Sequence, residues 1–404
     1  MVTITLSRPF KILSAVSIFL CVLLLLHHTR ESGDNNTPFQ HVTSNDVRLQ
    51  KQHKINRVIA HLRTKYVANR TPYEDAPPLM ILYSCNKLPC GTWVQRLKDI
   101  TSAFYLGVSL DGTAYAVDMT APIRMDWFFE IDPAGSSMTT DQAHHYLQLH
   151  GASKTSVAVD GSLDNASLAS KDFKAVYQKE GARIVQAQKL GDWHQISQNP
   201  ILFKTLKSYD LQTLTEQEWF VVARRFLFAK PSGWFRQVLE PYQSIMGGRV
   251  GPPRSLSLND PDTRLTQEER TLYRIGVHIT DPSQAHCLAK YADLVCKKQA
   301  GERKCYLFVS ASHPDAMQAM RQAIGDKLTI RTVDATYEYN DLDKPFSGSE
   351  DDAKVYYARV IMDWTILTTM DHLIGADDFI ETAAWVAQVP LDREAEEECQ
   401  AAAN

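Results

Sequence analysis

From residue 272 onward the chain alternates between short apolar runs and amphipathic stretches, and no other feature constrains its fold as much. "RIGVHI", "CYLFVSA" and "LTIRTVD" are strand-like, and "SQAHCLAKYADLVC" and "HPDAMQAMRQAIG" between them have helical spacing. An acidic loop near "FSGSEDD" then leads into a long helical stretch, "AKVYYARVIMDWTILTTMDHLIG". Strands with no wet face, each followed by a helix, build a parallel sheet with right-handed crossovers. The same pattern occurs once earlier: strand "PLMILYS", loop "CNKLPCGTW", helix "VQRLKDITSAFYLGVSL" and strand "AYAVD", with Gly112 as the helix stop. Two Rossmann-like lobes facing a cleft are therefore expected. Residues 140–270 between them are helical in character. There "EQEWFVVARRFLFAKPSGWFRQVLEPYQSIM" breaks at Lys230-Pro231-Ser232-Gly233 into a bridging helix pair, and Thr266 and Glu269 have capping-box spacing.

The N-terminus adds a different element. After Arg8 and Lys11 comes the uncharged run "ILSAVSIFLCVLLLL", which is short for a membrane span but adequate for a thin bilayer or with its flanking residues. No A-x-A cleavage site follows it, which favours a retained anchor over a cleaved signal peptide. Positive residues precede the run, so the short tail is expected in the cytoplasm and the rest in the lumen. Asn35, Asn69 and Asn165 begin N-x-S/T sequons beyond it. Cys85, Cys90, Cys287, Cys296, Cys305 and Cys399 also lie beyond it, enough for three disulfides whose partners the sequence does not fix, with Cys85–Cys90 the local pairing. The expected organisation is a cytoplasmic tail at 1–11, an anchor at 12–28, a polar stem and first helix at 29–76, an N-terminal lobe with helical bridge at 77–265, a C-terminal lobe at 266–390 and a solvated acidic tail at 391–404. At a net charge of −4 no basic footprint for nucleic acid is present.

Ligands of parallel sheets bind at the carboxyl ends of the strands, which singles out His278. The loop after "PLMILYS" and the helix N-terminus behind it form a second anion-attracting place. Several separated segments then share an order with a known family. "CGTWVQRLKDITSAFYL" (90–106) resembles the C-G-G-L-G-D-R-L-R-G-I pattern of the GT-B fucosyltransferase superfamily, its plant-like and α1,6 branches in particular. "FLFAKPSGWFRQVLEP" resembles the family's L-F-x-P-S segment, and "IGVHIT" its I-G-V-H-I-R. "MDWTILTTMDHLIGADDFIETAA" resembles the D-W…S-G-F-x-x-T-A ending, so the match spans about 79 to 388.

The resemblance implies a GDP-fucose donor held mainly by the C-terminal lobe, no required metal, and transfer of fucose with inversion to a glycan or glycoprotein in the Golgi or ER. It implies Gly91, Arg96, Lys98, His278, Asp363 and Thr382 as donor-binding positions; no catalytic base is named. The departures fall at the chemistry: Trp93, Val94 and Gln95 replace the rest of the glycine-rich loop, Thr280 stands at the pyrophosphate-binding Arg, and Asp377-Asp378-Phe379 replaces S-G-F. A bidentate Arg on phosphate is a strong charge-assisted contact that Thr cannot supply. Three readings stay open: a transferase in which Arg96, Lys98 or Arg274 fills the vacancy, an inactive relative, and a lumenal binding protein that keeps the cleft for a glycan or partner.

Other acidic and histidine groups carry less. Asp118 and Asp126, after the second strand, are candidate bases. Asp260-Pro-Asp262 and Asp341-Leu-Asp343 have the D-x-D pattern of metal-dependent glycosyltransferases, yet sit in turn-rich stretches where acidic residues collect for backbone reasons. Asp141, His144 and His145 read as a solvated helix face.

Overall fold

The computed structural model describes residues 44–68, 79–110, 113–130, 156–158, 163–180, 184–228, 230–247 and 272–393, with isolated positions at 141, 145, 148, 395, 398 and 399. The proposed anchor, the sequons at Asn35 and Asn69, the Asp260/Asp262 triplet, Gly112, His144 and the Thr266/Glu269 pair lie outside them. Among the described residues no helix is long and apolar enough to cross a membrane. The chain divides after Val47, and both lobes belong to the compact unit that begins at Arg48.

Helix α1 (Ser44–Ala68) begins inside the expected polar stem and buries Ile55, Val58, Ile59 and Leu62 on one side. The N-terminal lobe is built on β1 (Met80–Cys85), α2 (Trp93–Ser109) and β2 (Ala114–Met119). Next come a two-residue strand β3 (Phe129–Glu130), β4 (Ser156–Ala158), α3 (Asn165–Ser170), α4 (Phe173–Glu180) and β5 (Ile184–Ala187). The bridge is made of α5 (Trp193–Gln198), α6 (Pro200–Lys207), α7 (Glu216–Leu227), β6 (Lys230–Pro231) and α8 (Gly233–Leu239). A capping box, Thr215 with Glu218, opens α7, and Ser232 caps α8 after the predicted break. β2-β1-β5-β4 form a parallel sheet, while β3 pairs antiparallel with β6.

The C-terminal lobe contains β7 (Leu272–Ile279), α9 (Ala285–Gln299), β8 (Lys304–Ala311), α10 (Pro314–Ile324) and β9 (Thr329–Arg331). It continues through α11 (Glu350–Leu367), β10 (His372–Ile374), α12 (Asp378–Ala387) and β11 (Leu391–Asp392). All its strands are parallel, in the order β11-β10-β7-β8-β9. The fold class is thus mixed α/β with two parallel sheets. The long helix expected to run to about residue 375 stops at Leu367, because His372–Ile374 leaves it to pair with β7. At that crossing a Cβ on Gly276 would meet Leu373 Cδ2 at 2.5 Å, so only glycine lets the two strands and the α11 end close up.

The expected solvated tail needs a second correction. Leu391–Asp392 adds the fifth strand, Ala395 is buried, and Cys399 is bonded to Cys287 on α9. The other disulfides are Cys85–Cys90 and Cys296–Cys305. Most of the N-terminal lobe and the α11 and α12 side of the C-terminal lobe share one apolar core, where Trp93 of α2 meets Trp364 of α11 edge-on at 6.2 Å. The other face of the C-terminal sheet buries Ile275, Val277 and Ile279 against α9 and α10.

Candidate functional site

Strand order reverses at β7: the chain goes first to β8 and β9 on one side, then returns to β10 on the other. The carboxyl end of such a switch strand is where a ligand crevice opens, and His278 is there, with only 5% of its surface exposed. Its Nδ1 lies 2.5 Å from Asp377 Oδ2, its ring packs on Phe379 at 4.6 Å, and Ser312 Oγ stands 3.5 Å from Nε2. Asp377 is also the N-cap of α12, its other oxygen accepting the Ile380 N–H at 3.0 Å. Burial alone would raise the Asp377 carboxyl; its bonds to His278 and to the Ile380 and Phe379 backbone outweigh this and hold it below the usual carboxylate range. A helix N-terminus beside a histidine is a place for an anion, and here the chain's own carboxylate fills it.

Asp363 lies one turn beyond Arg359 on α11 and is fully buried. Its Oδ2 accepts from Ser310 Oγ at 3.0 Å and faces Arg359 Nε at 3.4 Å, leaving Oδ1 without a partner. Burial pushes its carboxyl up to about 6, against the pull of Arg359. Beside it a cleft of about 730 Å³ opens over the ends of β8 and β9, lined by residues including Ser312, His313, Arg321, Tyr337, Tyr339 and Arg359. Its size suits a nucleoside or a nucleotide.

The second expected anion place is filled in the same way. Gly91 has φ +85°, a backbone conformation open to glycine, which turns the Cys90 and Gly91 N–H groups toward one point. Both donate to Asp343, at 2.8 Å to Oδ1 from Cys90 and 2.9 Å to Oδ2 from Gly91. Arg96, with none of its surface exposed, bonds the same carboxylate at 3.0 Å. Three further N–H groups go to Gly91 O, Ala121 O and Leu342 O at 2.8–3.0 Å, and one faces Cys85 Sγ at 3.4 Å. Arg96, a donor-binding position by the resemblance, thus bonds residues of both lobes. Asp343, one member of a D-x-D triplet, accepts from Arg96 and from two backbone N–H groups. Among the described residues no group of three or more His, Cys, Asp or Glu is placed to hold a metal ion.

Lys98 ion-pairs with Asp378, N···O 2.8 Å, again across the lobes, the lysine half-buried and the carboxylate exposed. Thr382 is buried inside α12, donating to Asp378 O at 2.9 Å and accepting the Trp364 indole N–H at 3.1 Å. Arg274 does not fill the Thr280 position either: its guanidinium grips Asp371 at 2.9 Å through both Nε and Nη2. Of the candidate bases, Asp118 is buried and accepts from Thr120 Oγ at 3.3 Å, and Asp126 is held by Arg124. The six sequence-nominated residues therefore fall into three groups: His278 with Asp363 at the C-terminal sheet edge, Gly91 with Arg96 in the first loop, and Lys98 and Thr382 on the facing helices α2 and α12. Asp343 and Asp377 complete these groups. Both were visible in the sequence, one as a D-x-D member and one as a departure from S-G-F, but nothing there marked them as mutual partners of the site.

No family profile matches this sequence, and no curated protein matches it. Among solved structures, the fucosyltransferase NodZ from Bradyrhizobium is 11% identical over 76% of this chain and 91% of its own, with a TM-score of 0.42. NodZ alpha-1,6-fucosyltransferase co-crystallized with GDP is 10% identical over 76% and 90%, with a TM-score of 0.43.

Proposed function

We propose that this is a fucosyltransferase-like domain that has lost the family's way of holding a donor pyrophosphate and serves as a glycan- or protein-binding module of the secretory pathway. The observation that carries the reading is the occupation of both anion places by internal carboxylates, Asp377 on His278 and α12, and Asp343 on Gly91 and Arg96. A diphosphate entering there meets fixed negative charge, and Thr280 offers no cation in exchange. Three disulfides support a lumenal setting. The type II anchor at 12–28 belongs to the same proposal.

One observation favours the competing reading, fucosyl transfer from GDP-fucose to a glycan or glycoprotein. The cleft of about 730 Å³, with Arg321 and Arg359 on its wall, has room for a nucleotide. Under that reading Asp377 must leave His278 before the donor phosphates can enter. Calorimetric titration of the full chain with GDP and GDP-fucose, with and without Mn²⁺, separates the two. We expect no measurable heat from the unchanged chain, and metal-independent binding of GDP-fucose would overturn the module reading in favour of the transferase.

A further inference from the structure

A smaller cleft lies away from the carboxyl ends of the C-terminal strands, where α2 and the start of α5 face α12. It holds about 150 Å³ and is lined by Gln95, Asp99, Asp192, Trp193, Glu216 and Trp385 among others. Trp193 is almost fully buried and anchored by an indole N–H bond to Glu216 O at 3.0 Å. Trp385, part-exposed, packs edge-on against Trp193 and Phe220, with centroids 6.3 and 5.6 Å apart. Trp385 is thus held in place at the mouth, with the buried Trp193 behind it, before anything binds.

Asp99 forms the polar wall. It is 1% exposed, its Oδ1 accepts from the Leu190 N–H and from Gln95 Nε2, both at 3.2 Å, and its Oδ2 has no partner. An unpaired oxygen on a buried carboxyl is costly unless something completes it. Burial pushes this carboxyl up to about 7, and the exposed Glu216 is raised as well, by partial burial first and then by Asp192. Perturbed acids gathered in a concave place mark candidate binding sites.

We propose that this cleft is a subsite for one neutral monosaccharide ring of a glycan. A pyranose offers a face of C–H groups with slight positive charge, suited to the negative face of an indole. Its rim of hydroxyls both donates to carboxylates and accepts from amides, and the Asp99, Glu216 and Gln95 groups supply both kinds of partner. The volume admits one such ring and excludes a nucleotide, which needs several hundred Å³. The inference rests on the glycan-binding reading above and gives it a location that shares Lys98 with the interlobe ion pair but includes neither His278 nor the residues of the larger cleft.

The test titrates the full chain with methyl β-N-acetylglucosaminide, methyl α-mannoside and methyl β-galactoside, read by tryptophan fluorescence and by saturation transfer to the sugar protons. At least one probe should bind with a dissociation constant on the order of 1 mM, the range of a single small contact. Glu216→Gln, at an exposed position, and Trp385→Ala should each weaken it about tenfold or more. Binding that survives both substitutions would overturn this location and leave glycan binding intact elsewhere on the chain. Absence of binding by all three probes would overturn the location and the glycan-binding reading together.

Discussion

Replacing Arg96 tests whether the first-loop basic residue is a ligand group or a structural strut. Its guanidinium donates to Gly91 O, Ala121 O, Leu342 O and Asp343 Oδ1, all within 2.8–3.0 Å, and none of its surface is exposed. Arg96→Met keeps most of the packing of the stem but strands three carbonyls and removes the cation from Asp343. Each stranded buried acceptor costs about 1–3 kcal/mol, and breaking a buried ion pair from one side typically costs about 3–5 kcal/mol. Because the Asp343 side chain is 27% exposed and the bonds to Gly91 O and Ala121 O are only part-buried, water can rehydrate these groups, so we expect a total loss of about 3–5 kcal/mol rather than the full sum. Asp343→Asn should cost about 1–2 kcal/mol, since an amide oxygen still accepts the Cys90 and Gly91 N–H groups. Urea unfolding followed by tryptophan fluorescence measures both, and the double variant should lose less than the two single losses together, because the partners are shared. An Arg96→Met chain within about 0.5 kcal/mol of the parent would refute the strut and return Arg96 to the donor site.

The same geometry bears on three other perturbations. Asp377→Ser keeps an N-cap for α12 but removes the charge beside His278; combined with Thr280→Arg it should bring GDP binding into the range that calorimetry measures, and no measurable heat would mean the pocket itself has been rebuilt. Asp99 carries a carboxyl raised from 3.8 to about 7, so the folded chain binds its proton more tightly than the unfolded one. That acid therefore lowers stability progressively as pH rises from about 4 to 7, and Asp99→Asn should stabilise the chain at pH 8, by at most about 4 kcal/mol, with the gain vanishing near pH 4 in denaturant titrations. Cys399→Ser opens a covalent loop whose ends are 112 residues apart; chain entropy puts the cost at about 3–5 kcal/mol, measurable as a lower urea midpoint under non-reducing conditions.

Much of the fold was legible because its strands are buried on both faces and its helices are not. "RIGVHI" and "CYLFVSA" became β7 and β8, "PLMILYS" became β1, and the break at Lys230-Pro231-Ser232-Gly233 separates α7 from α8. Short edge and switch strands were not legible. His372–Ile374 reads as the tail of an apolar helix, and Leu391–Asp392 sits in an acidic stretch that looks solvated. Three or two residues carry too little pattern to overrule their neighbours, and only pairing with β7 and β10 decides them. The site divides along a similar line. His278 is a property of one strand end, readable from local sequence. The partnerships of Arg96 with Asp343 and of His278 with Asp377 join positions 247 and 99 residues apart, and no local spacing encodes them.

Arg96 and Lys98 are two residues apart on α2, so they leave that helix on different sides, one sealed against Asp343 and one reaching Asp378 in solvent. A single contact point would act as a pivot about which the lobes could swing. Two points on different sides of one axle resist twisting as well as separation, and Trp93 against Trp364 gives them a rigid seat. Interlobe distance distributions, measured between spin labels on α4 and α9, should therefore be narrow and insensitive to added nucleotide, and should broaden once Arg96 is replaced.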